Sequence, residues 1–120
     1  MLGDDVYEVF AIRYGHMENR KRVENFIATD CHDDPMPLDY FIWAIRNNKR
    51  TLVVDTGFDH KEAARRGRKI LRLPREGLEI LGIEAKTVKD VVISHMHYDH
   101  AGTLDDFPAA TFHLQEKEMQ

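Results

Sequence analysis

Val91-Val92-Ile93-Ser94-His95-Met96-His97-Tyr98-Asp99-His100-Ala101-Gly102 sets three imidazoles and one carboxylate directly behind an apolar run. Neutral imidazole and carboxylate are the donors that borderline divalent ions such as zinc prefer, so the composition points to a metal centre. The spacing points the same way. In extended chain, His95 and His97 project to one side and can share an ion. A turn at Tyr98 would bring Asp99 and His100 to a second position a few ångströms away. Gly102 would give the backbone room for the turn and the ions. One short segment can thus seed two neighbouring metal positions, as two-metal hydrolysis requires. The competing reading is a polar surface loop rich in histidine.

Upstream, Leu38 to Arg46 reads as a strand with Trp43 as its largest core candidate. Asn47-Asn48-Lys49 reads as a turn and Arg50 to Asp55 as the returning strand, which makes a β-hairpin. The hairpin runs into Asp55-Thr56-Gly57. A carboxylate at the end of a buried strand is costly unless paired, so Asp55 predicts a cap or a polar partner. Val6 to Tyr14 is rich in β-branched and aromatic residues and predicts a first strand, ended by Gly15. His16 to Asn25 is highly charged and reads as exposed. Phe26 to Pro37 is irregular. Its Asp30-Cys31-His32-Asp33-Asp34-Pro35 contains ligand types, yet lacks the paired spacing of a structural zinc site. It reads as turn chemistry, or as a loop lining a pocket.

Between the hairpin and the metal motif, Asp59 is a candidate N-cap for a helix reaching Leu73, with His60 exposed near its start. Pro74 breaks that helix, and Arg75 to Leu81 offers a shorter one closed by Gly82. Arg65, Arg66, Arg68, Lys69, Arg72 and Arg75 form a basic run, read as a solvated helix face with anion or nucleic-acid binding as the alternative. Beyond the motif, Ala110 to Leu114 predicts a strand and Gln115 to Gln120 the start of a helix. His113 alternates with Phe112 and Leu114, so it points away from both and reads as a bystander rather than a ligand.

A net charge of −4 and a pI near 5.9 argue against a general nucleic-acid binder. No apolar run approaches the roughly 20 residues of a membrane span. Met1 to Asp5 is acidic and shows no secretory leader, and the single Cys31 fits a reducing compartment. The expected setting is cytoplasmic, without nucleic acid or membrane as partner.

H-x-H-x-D-H behind an apolar strand resembles the signature of the metallo-β-lactamase superfamily, with His95, His97, Asp99 and His100 filling all four slots. The resemblance implies an α/β (α+β) fold: the N-terminal half of an αββα sandwich, a mixed sheet with helices on one face. Residues 1–120 would then be one such domain, cut short at its C-terminus. It implies two divalent metal ions, zinc by preference, with His95 and His97 on the first and Asp99 and His100 on the second. Asp99 would also shuttle a proton to the leaving group. Val54-Asp55-Thr56-Gly57 resembles a second recurrent segment, and Asp55 would orient ligands without touching the ion. Pro37-Leu38-Asp39-Tyr40, Val54 to Asp59 and His95 to Gly102 are most similar to the N-acyl homoserine lactone lactonases. That implies a quorum-quenching hydrolase that opens an ester or lactone of a small-molecule substrate with a metal-bound hydroxide. The superfamily's remaining ligands, a third His for each ion and a bridging Asp, belong to its C-terminal half and have no position here. Two alternatives follow. One is an incompetent half-domain that binds metal weakly or needs a partner chain, a homodimer included. The other is a hydrolase of β-lactams or thioesters.

Overall fold

Leu38–Arg46 alternates buried and exposed positions with the two-residue period of a strand. The structure is a computed structural model that describes residues 6–18 and 38–115. Six strands are described in it: β1 (Glu8–Met17), β2 (Leu38–Arg46), β3 (Thr51–Val54), β4 (Lys69–Ile70), β5 (Asp90–Ile93) and β6 (Thr111–Leu114). They form one sheet in the order β4-β1-β2-β3-β5-β6. The β4, β1, β2 and β3 pairings are antiparallel, whereas β3, β5 and β6 run parallel. The expected hairpin is β2–β3, and Asn47 closes its turn by accepting from the amides of Lys49 and Arg50. The parallel crossover from β3 to β5 carries α1 (His60–Arg66) and α2 (Pro74–Ile80), as parallel pairing requires. The fold is therefore the mixed α+β arrangement that the resemblance implies.

Register decides which residues form the core. Ile12 faces Ile42, Ala44 faces Val53, and Val53 faces Val91, giving one continuous buried row. Tyr14, Tyr40, Phe58 and Phe107 join it, with Ala63 of α1 and Leu78 of α2 packed over it. Trp43 does not. It lies on the other face, opposite Ala11 and Val54, stacked on Phe41 and 40% exposed beside an exposed Val9. Size suggested a core residue; strand parity places it outside.

Two boundaries differ from expectation. β1 continues through Gly15 to Met17, with an irregularity between Arg13 and Gly15. A Cβ at Gly15 would stand 3.2 Å from Phe58 and 3.3 Å from Tyr40, so the missing side chain admits those rings rather than ending the strand. His16 is consequently part of β1, where it hydrogen-bonds Asp39 at 2.6 Å. That bond, with Arg13 beside it, holds the Asp39 carboxyl below its ordinary range.

The first helix starts as expected, with Asp59 capping the Glu62 amide at 3.0 Å. It stops at Gly67 (φ 68°), a left-handed C-cap, instead of reaching Leu73. The freed segment becomes β4 and pairs with Gly15 and His16. Pro74 opens α2, as a first-turn proline can. The basic run is split by these breaks. Arg65 and Arg66 pair with Glu62, Arg68 bonds the Tyr98 hydroxyl, Arg72 the Arg13 carbonyl, and Arg75 pairs with Asp106. It does not make a single basic face. The segments 19–37, with the Cys31-His32-Asp33 loop, and 116–120 of the expected last helix lie outside the described residues. Among the described residues, no helix is long and apolar enough to cross a membrane.

Candidate metal centre

β5 releases the chain at Ile93, and the polypeptide then closes into a single helical turn, α3 (Tyr98–Ala101). The turn forms around the His97 carbonyl, which accepts from the amides of His100 and Ala101, both at 3.0 Å. It folds the motif back on itself. The His95 ring centroid lies 3.9 Å from that of His100 and 4.6 Å from that of His97. Donor atoms of His95, Asp99 and His100 lie within 4.8 Å of one another. His97 stands edge-on to His95, but it is not part of that compact group. The turn at Tyr98 thus occurs as read, and it draws His95 towards Asp99 and His100.

Asp55 stands behind the group. It is 3% exposed, directly follows β3, and adopts a left-handed backbone (φ 65°) that is uncommon outside glycine. Its amide donates to the Val92 carbonyl at 2.8 Å, which pins it against β5. Its carboxylate accepts from the Ser94 amide at 2.8 Å, from the Ser94 hydroxyl, and from His100 Nδ1 at 2.7 Å. A carboxylate can only accept here, so His100 Nδ1 carries the proton and Nε2 carries the lone pair. The Ser94 hydroxyl spends its one proton on Asp55. His95 Nδ1, 3.0 Å from Ser94 Oγ, must then donate to it, which also leaves His95 Nε2 with a lone pair. Ser94 is a contributor that the sequence reading passed over. Its role depends on a partner 39 residues away, and the only local signal was a hydroxyl residue at the strand's end.

The donor set fits a cation. His100 Nε2 and Asp99 Oδ2 face each other at 3.3 Å, a spacing at which both atoms can reach one cation. Nitrogen and carboxylate donors on a half-exposed turn suit zinc.

α3 is held from outside. Thr56 N donates to the His100 carbonyl at 2.8 Å, Gly102 N to the Gly57 carbonyl at 2.8 Å, and Thr103 Oγ1 to the Thr56 carbonyl at 2.7 Å. The Tyr14 hydroxyl donates to the Asp99 carbonyl at 2.8 Å. Burial raises the Tyr14 phenol well above its usual range, with Asp99 adding to the effect, so it remains a donor at neutral pH. A side chain at Gly102 would collide with the Gly57 carbonyl. The glycine therefore admits the close approach of the Asp55-Thr56-Gly57 turn. Tyr98 is clamped by Arg66 over its ring at 3.8 Å, and by the Arg68 guanidinium and the Tyr40 hydroxyl, each 3.2 Å from its oxygen. Burial and the Tyr98 contact push the Tyr40 phenol up to about 12.

His113 lies apart, bonded to Asp90 at 3.0 Å. A cavity of about 280 Å³ adjoins the motif, lined by Leu38, Asp39, Tyr40, Phe41, Trp43, Asp99 and His100. A larger hollow of about 640 Å³ near Arg75 and Asp105 contains no motif residue and does not bear on this chemistry.

Residues 36–118 match the metallo-beta-lactamase superfamily. The chain belongs to that superfamily. A relative, the N-acyl homoserine lactonase AttM of Azorhizobium caulinodans, is 44% identical over 43 residues, or 36% of this chain and 16% of that protein. The fold is similar to that of a B. thuringiensis AiiA variant with N-decanoyl-L-homoserine bound (TM-score 0.68, 17% identity, 93% of this chain and 49% of that one). It is also similar to AidC, a dizinc quorum-quenching lactonase (TM-score 0.69, 17% identity, 98% of this chain and 44% of that one). A probable metal-dependent hydrolase from Staphylococcus aureus gives TM-score 0.65 at 17% identity, covering 99% of this chain and 50% of that one. The chain thus spans half or less of the length of these proteins.

Proposed function

We propose that this chain carries metal-binding machinery of a hydrolase that opens esters or lactones, with N-acyl homoserine lactones as the favoured substrates. The observation that carries this reading is the convergence of His95, Asp99 and His100 in front of Asp55. His95, His97, Asp99 and His100 would hold two divalent ions, zinc by preference. When bound, the metal supplies an acidified water and polarises a carbonyl oxygen.

The remaining work falls to the chain's own side chains. Asp55 and Ser94 fix the tautomers of His100 and His95, so that both present Nε2. The Asp99 carboxylate stays partly exposed, where it can take a proton and pass it to a leaving alkoxide. Phe41 and Trp43 give the adjoining cavity an apolar wall suited to an acyl chain. Lactone as substrate is further supported by AttM, a lactonase that matches this chain locally. A small-molecule substrate and a cytoplasmic setting complete the proposal.

A second reading is a half-domain that needs a partner chain for activity. It is favoured by the exposed apolar face of Val9, Phe41 and Trp43, and by a compact group of three donors from one motif. Hydrolysis assays on the zinc-loaded chain separate these readings. Lactone opening that disappears in His100→Ala supports the first. Cleavage of β-lactams or thioesters without lactone opening moves the assignment to another branch. No hydrolysis of any substrate by chain that has bound zinc favours the half-domain.

A further inference from the structure

We infer that Tyr14 is a positioning residue for the metal motif: its buried hydroxyl fixes the backbone at Asp99 and so sets where that ligand stands. The inference rests on the reading of Asp99 as a ligand, and no step proposed above uses Tyr14.

Helix ends leave carbonyls without intrahelical partners, and a single turn has almost nothing but ends. In α3 the His97 carbonyl takes two amides of the turn. Two of the later carbonyls are served from elsewhere in the fold: His100 by Thr56 N, and Asp99 by the Tyr14 hydroxyl at 2.8 Å, across 85 residues of sequence. Asp99 therefore owes its backbone position to a strand at the other end of the described chain.

The donor itself cannot shift. Tyr14 is fully buried, packed edge-on against Phe58 at 5.1 Å and tilted against Tyr40 at 6.2 Å. Its ring also occupies the space beside Gly57, where a Cβ would come within 2.8 Å of Tyr14 Cζ. One rigid side chain thus touches both the turn that carries Asp55 and the turn that carries Asp99. It keeps the two halves of the centre in register.

Tyr14→Phe removes the oxygen and keeps the ring. Tyr40→Phe is the control, because it removes a hydroxyl from the same cluster whose partner in the motif is the Tyr98 side chain and not the Asp99 backbone. Zinc affinity is measured by titration well below the melting temperature of each metal-free protein, alongside amide exchange at His100 and Ala101. We expect Tyr14→Phe to bind zinc about tenfold more weakly and to speed exchange at those amides, with the β2–β3 amides unchanged. Tyr40→Phe should stay within about twofold of wild type for zinc, whatever its melting temperature. Unchanged zinc affinity in a folded Tyr14→Phe, or equal loss in Tyr40→Phe, overturns the inference. A wild-type chain that takes up no zinc instead overturns the metal reading, and this inference with it.

Discussion

Asp55 combines a buried carboxylate, three donors and a left-handed backbone at one position. Asn tolerates that backbone, so Asp55→Asn isolates the loss of the carboxylate from any change in strain. The amide cannot accept from Ser94 and His100 with the strength of an anion, and the His100 tautomer is no longer dictated. We expect zinc affinity to fall by roughly 10- to 100-fold, read by competitive titration, while the far-ultraviolet dichroism is kept. The need for a partner at Asp55 was legible, because an acid at the end of an apolar strand is a local conflict. Ser94 was not legible, since a serine beside a histidine is ordinary until the chain 39 residues earlier is brought to it. A turn that could gather the motif's side chains was legible from the sequence, and His95, Asp99 and His100 do group, with His97 outside. Which of them converge depended on how tightly the chain turns at Tyr98.

At the scale of elements, the Asp55-Thr56-Gly57 turn, α1 and α3 lock together. Gly57 has φ 76°, and a Cβ there would stand 2.7 Å from Pro74 and 2.8 Å from Tyr14. Gly57→Ala should therefore cost at least about 3 kcal/mol in a denaturant titration, because strain and overpacking add. In α1, hydrogen bonds from Arg65 and Arg66 hold the half-buried Glu62 carboxyl at about 2, below its ordinary 4.5. A depressed carboxyl contributes its stabilisation fully above pH 4.5 and loses it as pH falls towards about 2. The protection of α1 amides, corrected for the intrinsic pH dependence of exchange, should fall across that window in wild type and fall less in Glu62→Gln. The start of α1 was readable from Asp59, whereas its end was misread. Helix formers continue past Gly67, and only the pairing of Lys69–Ile70 with β1 makes the early stop worthwhile. Gly15 was misread in the opposite direction, as a strand end, because the rings it accommodates come from distant segments.

Across the whole molecule, the sheet presents one packed face and one face on which Val9, Phe41 and Trp43 stay exposed. Fully buried Ile42 should lose about 2–5 kcal/mol on Ile42→Ala, and the neighbouring Trp43→Thr less than about 1.5 kcal/mol, compared by chemical denaturation. The reverse ranking would place the core on the other side. The strands β2, β3 and β5 were legible as local apolar runs, whereas the mixed sheet was implied only by the resemblance that the motif carries. The choice of inner face was not legible, since Leu38–Arg46 carries apolar residues on both parities. The most direct test of the metal centre is zinc per chain, by elemental analysis of gel-filtered protein, with His100→Ala in parallel. We expect between about one and two ions per wild-type chain and a clear loss in the variant. A wild-type chain that emerges without zinc, or a His100→Ala chain that keeps its full complement, would contradict the assignment.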